Sequence, residues 1–313
     1  RSEYSQAPRL GPVPATSREK HNMTTPVSRT ILIPLDGSKL AENAVPLAGA
    51  LASTFDCDVR FIEVADDHTP PAERARAADI FTDYAMSRAV RYGIPAGRVS
   101  ADLLFGDPSS VILRESRRDD AVAVAIATHG RGGFRATVFG SVADRVIRGT
   151  QIPALVAPGV GGPHTDIDRI LVTLDGSQTS QRALAPTRAI AVANGAQLVL
   201  LRAYSIVPPA AVGYVYYPPD IPDAIIEDAR SYVTAQAREG ERALAIQGEA
   251  GAVICGVIND LDIDLVVMSK TGKRLASRLA IGSITDRVLH TAHRPMLIVP
   301  PAGRGGRRAL VQA

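Results

Sequence analysis

The feature that most constrains this 313-residue chain is that it contains itself twice. "RTILIPLDGS" at 29–38 returns as "RILVTLDGS" at 169–177. "GSVADRVIRGTQIPALVAP" at 140–158 returns as "GSITDRVLHTAHRPMLIVP" at 282–300. Gly106 with Gly248, Gly130 with Gly272 and Gly140 with Gly282 recur at one fixed offset. Agreement of this kind marks a duplicated domain. The expected division is residues 29–158 and 169–301, joined by a linker at 159–168 whose Gly and Pro punctuate the chain. Residues 1–28, rich in Pro, Ser and Arg and without an apolar core segment, read as a disordered extension, and 302–313 as a tail. "MTTPVSRTILIPLDGS" from Met23 reads as a natural start, and what precedes it as a fused or upstream addition.

Each copy alternates strand and helix. In the first, Thr30–Leu35 is a short apolar strand, and Ser38 caps a helix carrying Leu40, Ala44, Leu47, Ala48 and Leu51 on one face. Pro46, like Pro186 in the second copy, falls inside that pattern and predicts a kink or a late start. Val59–Val64 is a second strand, followed by a helix of about 20 residues, a strand near Val99–Leu104 and a helix opened by Pro108. Ala121–Thr128 and Ala154–Ala157 complete the set. Runs apolar throughout are strands covered on both faces, as in parallel sheets. The expected fold class is therefore α/β, two tandem doubly wound domains, each a five-stranded parallel sheet with helices on both faces.

Composition narrows the partners. Hydrophobic residues make up 46% of the chain but aromatics only 4%, with no Trp, so Ala, Val, Ile and Leu build the core. The net charge of +3 is scattered and lacks interleaved aromatic faces, which argues against nucleic acid. No apolar run approaches the roughly 18 residues of a membrane span. Cys57 and Cys255 lie far apart among apolar neighbours and form no disulfide framework, pointing to a reducing, cytoplasmic setting.

The chemistry gathers where strand four ends. "ATHGRGGFRATVFGSVADRV" at 127–146 and "SKTGKRLASRLAIGSITDRV" at 269–288 each leave an apolar strand through a Gly-containing loop and enter a helix at Gly-Ser. In doubly wound sheets, ligands bind outside the carboxyl ends of strands. Gly130 and Gly133 let the backbone turn its N–H groups toward one point. The helix opened by Gly140-Ser141, or Gly282-Ser283, has free N–H groups and a dipole that favours an anion. Together they form a phosphate cradle, to which Arg131 and Arg135, or Lys273 and Arg274, add charge. Two plainer readings stand beside this one. Ser141-x-x-Asp144 and Ser283-x-x-Asp286 also match capping boxes, and Asp36 and Asp175 are also turn formers before Gly.

The spacing Gly-x9-Gly-Ser after an apolar strand, the "LDGS" ending of strand one, the Gly-Asp-Pro turn after strand three and the closing "P-x-L-x-x-P" resemble the ATP-binding members of the universal stress protein family. The likeness spans both halves and implies the adenine nucleotide α-hydrolase-like fold. It further implies that Gly130, Gly140 and Ser141, and Gly272, Gly282 and Ser283, hold phosphates, with Val142 and Ile284 completing the two helix starts. Asp36 and Asp175 would face the ribose or a bridging Mg²⁺. The backbones of Pro34 and Val64, and of Thr173 and Ala203, would frame adenine. Ala127 and Ser269 stand where the family's Gly-x2-Gly-x9-Gly-(Ser/Thr) motif has its first Gly, a departure that costs roughly 1 kcal/mol if the position needs a positive φ. His129 aligns with Thr271, so both read as loop residues lining the site rather than as a catalytic pair.

No Walker A, HExxH, GxSxG or kinase-type sequence is present, and no catalytic residue is assigned. The expectation is a nucleotide-dependent stress-response protein with one ATP per half. The alternatives are a superfamily enzyme that uses ATP for substrate activation or hydrolyses it slowly, and a structural pseudo-dimer with empty sites. The last strand of each half, "PALVAP" and "PMLIVPP", is an edge that in the family joins domains. It predicts pairing of the two halves within the chain, and a further pairing of chains into a dimer.

Overall fold

A computed structural model of the chain describes residues 28–128, 140–159, 166–206, 221–272, 281–301 and 310. The first half runs β1 (Thr30–Pro34), α1 (Ala44–Thr54), β2 (Asp58–Ala65), α2 (Pro71–Arg91), β3 (Val99–Phe105), α3 (Pro108–Glu115), β4 (Ala121–Ala127), α4 (Ser141–Gly149) and β5 (Ala154–Ala157). The second runs β6 (Arg169–Thr173), α5 (Gln178–Arg182), α6 (Leu184–Asn194), β7 (Gln197–Tyr204), α7 (Ile221–Gln236), β8 (Arg242–Gln247), α8 (Ala250–Asp260), β9 (Leu265–Ser269), α9 (Ser283–Thr291) and β10 (Met296–Val299).

The expected late helix start is where the prolines put it. Ser38 Oγ accepts from Ala41 N at 3.1 Å and opens a single 3₁₀ turn, and the α-helix proper begins at Ala44 with Pro46 in its first turn. In the second half Ser177 Oγ accepts from Ser180 N at 3.1 Å, and Pro186 lies in the first turn of α6. Proline is tolerated there because a first-turn N–H has no intrahelical partner to lose.

Within each half the strands are parallel, in the order β3-β2-β1-β4-β5 and β8-β7-β6-β9-β10. The sheets do not stay separate. β5 and β10 pair antiparallel, with Leu155 opposite Leu297, and fuse the halves into one ten-stranded sheet. The strands alternate their side chains between two cores. Ile31, Ile33, Ile170 and Val172 face α1, α2, α6 and α7. Leu32, Leu171, Val266 and Ile298 face α3, α4, α8 and α9. Each core contains residues of both halves, so the duplicated domains share their interior.

Ile167, inside the stretch expected to be only a linker, is 4% exposed and belongs to the first core. Leu310, in the expected tail, is also buried there, and its carbonyl accepts from the Arg29 guanidinium. Of the expected N-terminal extension only Ser28 is described, its hydroxyl bound to the Asp58 carboxylate; residues 1–27 lie outside the described residues.

Candidate functional site

The site is assembled at the carboxyl ends of the strands beside the point where strand order reverses, between β6 and β9 and, equivalently, between β1 and β4. Strand one of each half ends in Asp-Gly-Ser. Gly37 and Gly176 have φ of 75° and 81°, the left-handed region that glycine enters without a Cβ clash. That turn folds the aspartate back on the chain. Asp36 Oδ1 accepts from Ser38 N at 2.9 Å. Asp175 Oδ1 accepts from Ser177 N at 2.9 Å and from Ser177 Oγ at 2.6 Å. The turn-forming reading of these aspartates is thus correct for one oxygen. The other oxygen of Asp175 faces Gly272: a Cβ on Gly272 would sit 2.7 Å from Asp175 Oδ2. Absence of a side chain at 272 is what lets the carboxylate and the loop backbone meet.

The end of strand four is pinched shut in both halves. Gly140 N donates to Thr128 O at 2.6 Å, and Gly282 N donates to Lys270 O at 2.7 Å. The backbone leaves the sheet for the loop and returns to within one hydrogen bond of where it left. Gly140 and Gly282 are the N-cap residues of α4 and α9, in extended conformation, and no side chain caps either helix. By contrast, Asp107 and Glu249 cap α3 and α8 with their carboxylates. The capping-box reading of Ser141 and Ser283 therefore fails, because each Ser is the first residue inside its helix. Asp144 and Asp286 instead converge on Arg148, at 2.8 and 2.6 Å. The uncapped first turn of α9 opens into the site, as the cradle reading requires.

A cavity of about 440 Å³ lies over this helix start, within the size range of small-molecule sites. Thr173, Asp175, Ala203, Ser269, Gly272, Gly282, Ser283 and Ile284 all line it. Thr271 does not; it is 3% exposed. Leu201, Ile254 and Met268 add apolar lining to the cavity, and Arg202 and Tyr204 reach it from β7. Arg202 is held by Asp228 at 3.1 Å and lies 4.5 Å over the Tyr232 ring. Sequence reasoning named one residue per strand and so missed these neighbours. The signal was there: at a sheet's end consecutive residues of a strand, not alternate ones, border the crevice.

Ala127 and Ser269 are the last residues of β4 and β9, and neither has a positive φ, so the missing first Gly of the motif brings no backbone strain. Pro34 ends β1 and Val64, opposite Leu104, is in the next-to-last pair of β2 with β3; they are the counterparts of Thr173 and Ala203. Gly140, Ser141 and Val142 occupy in α4 the places that Gly282, Ser283 and Ile284 take in α9. His129, Gly130, Arg131, Gly133, Arg135, Lys273 and Arg274 lie outside the described residues. Among the described residues no three His, Cys, Asp or Glu side chains group to hold a metal, and no helix is long and apolar enough to cross a membrane.

Two doubly wound halves joined in one sheet, with a cavity at a switch point, define a tandem α/β protein with a candidate ligand site. The model of the universal stress protein family matches residues 28–158 and again 166–300, and the chain belongs to that family. It is 31% identical over 133 residues to a universal stress protein of Thermus aquaticus, covering 42% of this chain and 96% of that protein. It is 24% identical over 208 residues to one of Mycobacterium tuberculosis, covering 64% of this chain and 68% of the relative. Among solved structures, a universal stress protein from Archaeoglobus fulgidus superposes with a TM-score of 0.64 at 16% identity, over 88% of this chain and 99% of that one. A protein of unknown function from Pseudomonas aeruginosa gives 0.65 at 16% identity, over 88% and 93%. These two likenesses speak to the fold.

Proposed function

We propose that the chain binds ATP at the strand ends of each half and acts as a nucleotide-dependent stress-response protein of the cytoplasm. The observation that carries the reading is the cavity that brings the Asp175 carboxylate, the Gly272 backbone and the uncapped Gly282-Ser283 helix start to one place, with apolar lining. The three parts fit the three parts of a nucleotide. Leu201, Ile254 and Met268 suit a base, Asp175 suits a ribose or a phosphate-bound Mg²⁺, and the first N–H groups of α9 suit phosphates. In the first half Asp36, Gly140 and Ser141 take the same roles. Mg²⁺ would arrive with the nucleotide and neutralise phosphate charge.

These groups bind and orient; they make no nucleophile–base pair, which favours a bound nucleotide as a signal over rapid turnover. Pairing of chains, also expected from the sequence, has no unpaired last strand to run through, because β5 and β10 are joined to each other and β3 and β8 form the sheet's edges. Calorimetry with ATP and Mg²⁺, with mass spectrometry of gently purified protein, tests the reading. Two micromolar sites per chain, or co-purified nucleotide, support it; no heat and no nucleotide remove it.

A further inference from the structure

The two halves are not equivalent where they meet. At the position after strand four the first half has Thr128 and the second has Lys270. Thr128 Oγ1 accepts from Gly159 N of its own half at 3.0 Å. Lys270 crosses over. Its Nζ donates to Arg148 O at 2.6 Å and to Thr150 O at 2.8 Å, the carbonyls at the C-terminal end of α4. Its side chain is among the largest fully buried ones in the protein, at 1% exposure.

Lys270 is also part of the second site's frame. Its carbonyl receives Gly282 N at 2.7 Å, and its own N–H donates to Val299 O at 2.7 Å. Its neighbour Ser269 lines the cavity, and a Cβ on Gly282 would lie 3.5 Å from Lys270 O and 3.7 Å from Gly272 N. The helix it grips, α4, begins at Gly140-Ser141, the phosphate end of the first site. At nine residues, α4 is a rod of about 13 Å whose two ends touch the two sites' machinery. Arg148, one residue from its end, adds a second tie by pairing with Asp286 of α9 at 2.6 Å.

We infer that Lys270, gripping the C-terminal end of α4, couples the two ligand sites, so that occupation of the first raises the affinity of the second. The inference rests on the nucleotide reading above. The sign follows from the helix dipole: a phosphate at the N-terminus of α4 and an ammonium at its C-terminus complement the same dipole. Ligand that draws in the first turn of α4 moves the carbonyls that hold Lys270, and Lys270 moves Gly282. Coupling of binding sites is reciprocal, and its size in proteins starts at about fivefold.

The test is ATP calorimetry with Mg²⁺ on the full chain in four forms: wild type, Gly140→Val, Lys270→Thr and the double variant. Thr is the residue that the first half already carries at this place. Blocking the first site with G140V is expected to weaken the second about fivefold when Lys270 is present, and to leave it unchanged in the K270T background. Should K270T fail to fold, hydrogen exchange on Gly282→Val supplies the reading: ATP, confined to the first site, is expected to slow exchange in α9 as well as in α4. A second site of unchanged affinity in G140V with Lys270 present, or slowing confined to the first half, overturns the coupling and leaves the nucleotide reading standing. A wild type that binds no ATP removes both.

Discussion

Gly272 has no room for a side chain, and the reason is local. Its backbone is not in the left-handed region, but a Cβ would press on Asp175 Oδ2 at 2.7 Å. Gly272→Ala is therefore expected to push the carboxylate out of the cavity and weaken ATP at the second site about tenfold, or ~1.4 kcal/mol. The first site keeps its own contacts, so calorimetry should show one strong and one weak event. Asp175 itself has two jobs that substitution separates. Asp175→Asn keeps an acceptor for the N–H and hydroxyl of Ser177, so its thermal stability should stay near wild type, whereas Asp175→Ala loses that turn as well, at about 1 kcal/mol. Both should lose Mg²⁺-dependent binding; retention of full affinity by Asn would show that the charge is not used. These residues were legible in sequence because a turn needs Asp-Gly at fixed places and the duplication printed it twice. Lys270 was not. Its role depends on a carbonyl 120 positions away, at the C-cap of a helix of the other half.

Among the elements, the strands were the most legible, because an all-apolar run such as Ala121–Ala127 has few alternatives once helices must cover both faces. Helix starts were harder. A Ser followed three residues later by Asp looks the same whether it caps a helix or stands inside one, and only the extended backbone of Gly140 and Gly282 decides. Where a real cap exists, its carboxylate titrates accordingly. Hydrogen bonds from Ser109 and Ser110 hold the Asp107 carboxyl down at about 2, below its ordinary 3.8. A folded-state pKa below the unfolded value stabilises the fold above the unfolded value, and that contribution fades as pH falls through the folded one. Urea unfolding of wild type and Asp107→Ala should therefore differ at pH 7, with the difference shrinking between about pH 4 and pH 2. A gap constant down to pH 2 would mean that the cap bonds are not made in solution. α4 and α9 lack such caps, so no capping side chain occupies their first N–H groups in place of an anion.

At the scale of the whole molecule, the duplication predicted two domains and their apolar last strands predicted the pairing, and the structure joins them through β5 and β10 into one sheet. No periodicity shows which edge a last strand will meet; that is settled by the fully buried Leu155 and Leu297 standing opposite each other. Because both cores run through this seam, Leu297→Ala is expected to cost ~2–5 kcal/mol and to lower a single unfolding transition rather than split off the second half. Calorimetric melting distinguishes the two. The seam also carries the one buried ammonium among the described residues, and its titration tests the junction directly. Burial pushes Lys270 down from 10.5 to about 8, with the positive charge of Arg148 acting in the same direction. The acids nearby, Asp144 and Asp286, are engaged by Arg148, and His290 Nδ1 lies against the Asp286 carbonyl at 2.7 Å. The folded chain thus binds fewer protons than the unfolded chain between about pH 8 and 10.5, and in that window its stability rises with pH. Below pH 8 the ammonium stays charged and its desolvation weighs on the fold in full. In Lys270→Met that titration is gone, while every other group is shared. The stability of wild type relative to K270M should therefore climb from pH 8 to pH 10.5, by up to about 3 kcal/mol at ~1.36 kcal/mol per unit. Urea unfolding of both chains at pH 7, 9 and 10.5 measures it. A difference that stays flat would place the Lys270 amine in water and break the contact between the halves on which their coupling depends.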